Sequence, residues 1–147
     1  MSSTFTLVTD APVDIDALFE ISLDIDAHAS SMAQSGERAI AGVRSGRIGL
    51  GETVTWRARH FGIWFTMTSE IVELEHPERF VDQQARGPFR LFRHEHTFER
   101  LITGTRMTDT ITLASPIFGS LAERIVLVPY LRRLIIKRNT ELVSVAS

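Results

Sequence analysis

The sequence predicts an α+β fold in which a curved antiparallel sheet of about seven strands wraps a long C-terminal helix. Three observations predict it. Phe5 and Leu7, set among threonines, open the chain with an alternating segment that leads into one or two short stretches of helical spacing. From Glu37 to Ala114 the apolar period is two, and beyond Pro116 it returns to that of a helix almost to the end. One many-stranded sheet and one long amphipathic helix bury both apolar faces most simply by closing on each other.

Composition supports a compact chain. The 147 residues are 44% apolar and 23% charged with a formal charge of −2, close to globular averages. A chain of this length buries roughly 70% of its unfolded surface, so a single domain needs no staple. The absence of cysteine excludes disulfide frameworks, thiolate zinc sites and cysteine nucleophiles. A near-neutral balance argues against nucleic acid as a partner. Neither a secretory signal nor an apolar run long enough for an integral membrane segment is present, so a cytoplasmic protein is expected.

The elements follow in order. Asp10-Ala-Pro12 ends the first strand, and Ile15, Leu18, Phe19 and Leu23 then recur at helical spacing behind Asp14 and Asp16, whose charges suit the first turn. Asp24 to Gln34, rich in Ala and Ser, reads as a second short helix or a loop. Turn signals at Ser45-Gly46, Gly49 to Gly51, Gly62, His76-Pro77, Gly87-Pro88 and Thr103-Gly104 cut the next stretch into about six strands. In the last third Pro116 suits a first helical turn, and Leu121, Ile125, Val128, Leu131, Leu134, Ile135 and Leu142 come after it at helical intervals. Pro129 interrupts them, which predicts a kink or two helices in tandem. The acidic first 26 residues and the basic tail from Arg124 to Arg138 read as complementary faces of one fold; a docking surface for an acidic partner or a membrane is the sharper alternative.

Alternation splits each strand into faces. Val54, Trp56, Ala58 and His60 share one face; Ile63, Phe65, Met67, Ser69 and Ile71 another; Phe92, His94, His96 and Phe98 a third; Thr105, Met107, Asp109, Ile111 and Leu113 a fourth. Segment 79–86 is ambiguous between Phe80, Asp82, Gln84, Arg86 and Val81, Gln83, Ala85. The inward faces are therefore apolar but carry His60, His94, His96 and Asp109. Several polar groups on one concave face suit a pocket better than a solid core. A hairpin turn at Thr103-Gly104 would set His96 against Ile111 and make Asp109 its diagonal neighbour, within reach as an acid/base pair or as a structural ion pair. His94-Glu95-His96 could hold zinc, iron or copper if His60 or Asp109 converged as a third ligand. Alternating histidines are common by chance, so no metal and no cofactor is assigned. No phosphate loop, dinucleotide fingerprint or nucleophile elbow occurs.

The element order, the stretch Phe80-Val-Asp-Gln-Gln-Ala-Arg-Gly-Pro-Phe-Arg-Leu-Phe-Arg-His-Glu-His-Thr-Phe98 and the segment Gly104-Thr-Arg-Met-Thr-Asp109 resemble the SRPBCC superfamily. This is the helix-grip group of START domains, birch-pollen-allergen-like proteins and polyketide cyclase/dehydrase proteins. The resemblance implies a cavity between sheet and C-terminal helix that binds a small apolar molecule such as a lipid, sterol or polyketide. On that reading the ligand's body meets Trp56, Phe65, Met67, Phe92, Ile111 and the helix residues Leu121, Ile125 and Val128. Its polar end meets His60, Gln84, His94, His96 or Asp109. The alternative is a cyclase or dehydratase in which His96 is the general base oriented by Asp109, with His60 or His94 holding an enolate oxygen.

Overall fold

The computed structural model describes residues 2–116 and 120–147. Strand β1 (Ser3–Ala11) is followed by helices α1 (Ile15–Ser22) and α2 (Ile25–Ser31), and then by β2 (Arg38–Gly42), β3 (Thr53–His60), β4 (Ile63–Glu75), β5 (Arg79–Arg86), β6 (Leu91–Leu101) and β7 (Gly104–Ala114). The seven strands form one antiparallel sheet in the order β1-β7-β6-β5-β4-β3-β2. This is the helix-grip architecture: an open sheet with the short helices and the C-terminal helix on its concave side.

Local chemistry fixes the helices on the first crossing. Asp14 caps α1 by accepting from the Asp16 backbone N–H, and Asp24 caps α2 by accepting from the Ala27 N–H. Each cap contributes about 1 kcal/mol. The Ala/Ser-rich stretch is thus a true helix, with a 3-10 turn at Ala33–Ser35 behind it. Leu18 and Phe19 are fully buried, and Phe19 packs edge-on to Phe80 and Phe98. That contact seats α1 on the sheet.

The inward faces of β3, β6 and β7 are the expected ones, and Thr105, Met107, Asp109, Ile111 and Leu113 are all sealed from solvent. The β6–β7 register differs from expectation by two residues. Leu101 pairs with Gly104, so the turn is Ile102-Thr103 and His96 stands directly opposite Asp109, not Ile111. Gly104 belongs to the strand, where a Cβ would fall 2.0 Å from the Ala11 carbonyl oxygen. In β5 a register shift against β4 between Ile71 and Glu73 lets both Phe80 and Val81 be buried, which is why simple alternation could not choose a face there.

The C-terminal helical region runs through α3 (Ser120–Ala122), a π turn at Glu123–Leu127 and α4 (Val128–Ala146). Pro116 lies in a bend, and the expectation that it opens the helix falls on residues outside those described. Pro129 has no N–H to give, and the chain answers not with a sharp break but with a wider turn in which the Val128 N–H reaches back five residues to the Glu123 carbonyl. One extra residue in a turn rotates the helix on its N-terminal side by about 100° relative to the helix on its C-terminal side. The buried side chains are accordingly Glu123, Leu127, Leu134, Ile135, Arg138, Asn139 and Leu142. Leu121 and Ile125 are turned out, 71% and 63% exposed. Among the described residues the acidic N-terminal stretch makes no ion pair with the basic tail. Among the described residues Asp10 pairs with Arg106, and Glu20 with Arg47.

Candidate functional site

Sheet and helices do not fill the space between them. A cavity of about 440 Å³ remains, walled by the inner faces of β3 to β6, by α2 and by the C-terminal helix. Trp56, Phe65, Met67 and Phe92 supply apolar wall from the strands, and Leu127, Leu131, Leu134 and Ile135 supply it from the helix. His60, His94 and His96 also border it.

Five expected contacts lie elsewhere, and a sixth does not reach the space. Ile111 is solid core beneath β1 and the helix, grouped with Phe5, Leu7 and Leu113. Gln84 is turned to its own strand end: its side-chain amide donates to the Phe89 carbonyl at 2.8 Å and accepts from the Phe89 N–H at 3.2 Å, bracketing Gly87-Pro88 so that Phe89 meets the cavity. Leu121 and Ile125 are rotated out by the π turn, and Val128 packs on the Phe5 cluster rather than on the cavity. Asp109 stands behind the wall, wholly buried, and acts on the cavity through others.

Those others form a closed polar network. Asp109 Oδ1 accepts from His94 Nε2 at 2.7 Å, and Asp109 Oδ2 accepts from the Asn139 side-chain amide at 2.7 Å. His96 is held on its far side, Nε2 donating to Asp82 Oδ2 at 2.7 Å; its Nδ1 lies 3.3 Å from Asp109 Oδ1 without hydrogen-bond geometry. The two imidazoles stack with centroids 3.7 Å apart, and Phe80 stacks on His96 at 4.0 Å. Arg138 closes the ring from α4, its Nη1 donating to Asn139 Oδ1 at 3.1 Å and lying 3.5 Å from Asp109 Oδ1.

Burial and charge set the protonation of this cluster. Burial, with the neighbouring His96, pushes the His94 imidazole down to about 4, against the opposing pull of Asp109. Burial alone would raise Asp109, but the hydrogen bond from His94 and the close approach of His96 outweigh it and hold the carboxyl well below the usual carboxylate range. Asp82 is lowered in the same way: burial acts against it, and the His96 hydrogen bond with the nearby cations prevails. At neutral pH the cluster therefore holds the Asp82 carboxylate at the wall, the Asp109 carboxylate behind it and a neutral His94 whose Nε2 proton is held by Asp109. The nitrogen left to His94 is Nδ1, a lone pair.

Asp82, His94 and His96 can each bring one ligand atom within 4.8 Å of the others, so among the described residues these three, and not His60, are the ones that could hold a metal. An ion there would have to displace the proton between His96 and Asp82. His60 sits at the other end, at the tip of the β3–β4 hairpin, with Nδ1 2.7 Å from the Tyr130 hydroxyl. Burial lowers His60 and raises Tyr130, so both are neutral partners. Phe61 is held at φ 53° in the turn and packs on Tyr130 at 4.5 Å.

Sequence reasoning missed Asp82, Tyr130, Arg138 and Asn139 as site residues. A signal exists for Arg138, which falls four residues after Leu134 and four before Leu142 on the apolar stripe. Its place in a run of basic residues hides that signal.

No family model matches the chain, and no curated protein matches it. Solved structures do. An aromatase/cyclase, Zhui, from Streptomyces sp. R1128 superposes with a TM-score of 0.78 at 14% identity, covering 99% of this chain and 94% of that one. The ginseng major latex-like protein 151 from Panax ginseng gives 0.74 at 14% identity over 99% and 98%. The protein TTHA0849 from Thermus thermophilus gives 0.74 at 18% identity over the whole of both chains. At these identities the likeness is one of fold alone, the helix grip.

Proposed function

We propose that this protein binds a small, largely apolar molecule in the cavity between sheet and C-terminal helix, with the molecule's polar end at the wall formed by Asp82, His94 and Arg138. The observation that carries this reading is the cavity itself: about 440 Å³ of space with mainly apolar walls and a charged cluster at one end. Small-molecule pockets are commonly of that size and make-up. A cyclase named among the structural neighbours keeps a catalytic reading in view, and here the dyad would be His94 backed by Asp109 rather than His96, whose Nε2 is already taken. A base pushed down to about 4 is a weak proton acceptor at neutral pH, and this favours binding over catalysis.

Native mass spectrometry of freshly purified protein, followed by solvent extraction, identifies any carried molecule. In parallel, 1-aminoanthracene serves as a fluorescent probe. Phe92→Ala, on the cavity wall, should weaken probe binding about tenfold, whereas Thr108→Ala, on the outer face of β7, should leave it within about twofold. Equal effects of the two substitutions, or no probe binding at all, would remove this reading.

A further inference from the structure

Arg138 is the only buried Lys or Arg among the described residues, 2% exposed, and its side chain borders the cavity. A guanidinium carries five N–H donors. Within the described residues one hydrogen bond is made, from Nη1 to Asn139, while Nε has no partner. Unmet donors on a buried charged group are costly, so an interior arginine is normally surrounded by acceptors. The two nearby carboxylates do not supply them. Among the described residues Asp109 Oδ1 lies 3.5 Å from Nη1 as an ion pair without a hydrogen bond, and no hydrogen bond joins Asp82 to the guanidinium, its Oδ2 being held by His96. The remaining neighbour of Arg138 is the cavity.

We infer that Arg138 is a ligand-binding residue that receives an sp2 oxygen, a ketone carbonyl or a carboxylate, from the molecule held in the cavity. The inference rests on the cavity-binding reading above and adds the chemical class of the ligand's polar end. A planar fork of N–H groups matches the in-plane lone pairs of such an oxygen, which a lysine ammonium or a hydroxyl would match less well. Asp109 fixes the charge of the guanidinium from behind, at 3.5 Å, and Asn139 fixes its orientation.

Three probes on one naphthalene body test this by calorimetry on the full chain: 2-acetylnaphthalene, 2-naphthoic acid and the slightly smaller hydrocarbon 2-ethylnaphthalene. The wild type should bind the ketone or the acid at least about tenfold more tightly than the hydrocarbon. Which of the two is preferred tells a neutral carbonyl from a carboxylate. Arg138→Lys keeps the charge but loses the fork, and should bring the difference below about threefold. Should that variant fail to fold, the nitrogen-15 resonance of Arg138 Nε in the wild type decides: it should move with the ketone or the acid and not with the hydrocarbon. Equal affinity for all three probes, discrimination that survives Arg138→Lys, or a silent Nε resonance overturns the inference alone. Failure of all three to bind overturns the cavity reading and the inference with it.

Discussion

The cavity has a polar group at each end, and the two ends are built on opposite principles. At the centre of the sheet, His94 and His96 are locked among Asp82, Asp109, Arg138 and Asn139, so that three strands and α4 share one charged network. At the hairpin end, His60 meets a single uncharged partner, the Tyr130 hydroxyl, beside a Phe61 that is 55% exposed. Histidines that look alike in sequence therefore play different parts. The inner pair is fixed by groups that cannot leave without stranding a buried charge, whereas the outer one joins hairpin to helix by a bond that water can replace.

The contrast can be broken by experiment. Asp109→Asn keeps the shape but leaves Arg138 without its counter-charge, and should cost about 3–5 kcal/mol in denaturant unfolding. A loss below about 1 kcal/mol would mean that the network adds nothing to stability. A smaller effect is set by pH. His94 is depressed from 6.5 to about 4, so between those values the unfolded chain takes up a proton that the folded chain refuses. Stability should thus be full above about pH 6.5 and fall as the pH drops toward 4, by on the order of 3 kcal/mol. Asp109 extends the decline to lower pH, where its low carboxyl is protonated first in the unfolded chain. His94→Gln should flatten the upper part of this slope, and an unchanged midpoint-versus-pH curve in that variant would locate the acid sensitivity elsewhere. The smallest effect belongs to the hairpin end: Tyr130→Phe removes one hydrogen bond between neutral groups and should cost about 1 kcal/mol or less. If it matched Asp109→Asn, the two ends would be equivalent after all.

The difference between the ends also explains which site residues are legible in the sequence. His60, His94 and His96 are, because strand alternation is local, and β3 and β6 run without a bulge over those positions against β4 and β7. Their partners are not. Asp82 lies on a strand whose phase is disturbed by a register shift, and Arg138 is masked by the charges that surround it in sequence. The pairing of His94 with Asp109, rather than His96 with Asp109, depends on where the β6–β7 turn falls. Moving that turn by one residue slides the register by two.

By itself the sequence determined the class of fold, the number and order of strands, the inward face of most of them and the presence of histidines on a concave surface. Those properties arise from period, turn chemistry and capping, which act over a few residues. Tertiary structure decided the helix face, because Pro129 widens the turn before it and rotates Leu121 and Ile125 away from the interior. It also decided the partners of each buried charge. Such a group must be satisfied by whatever the closed fold brings within about 3 Å, and Thr9, Asp82, Asp109, Arg138 and Asn139 are brought together from four separate elements.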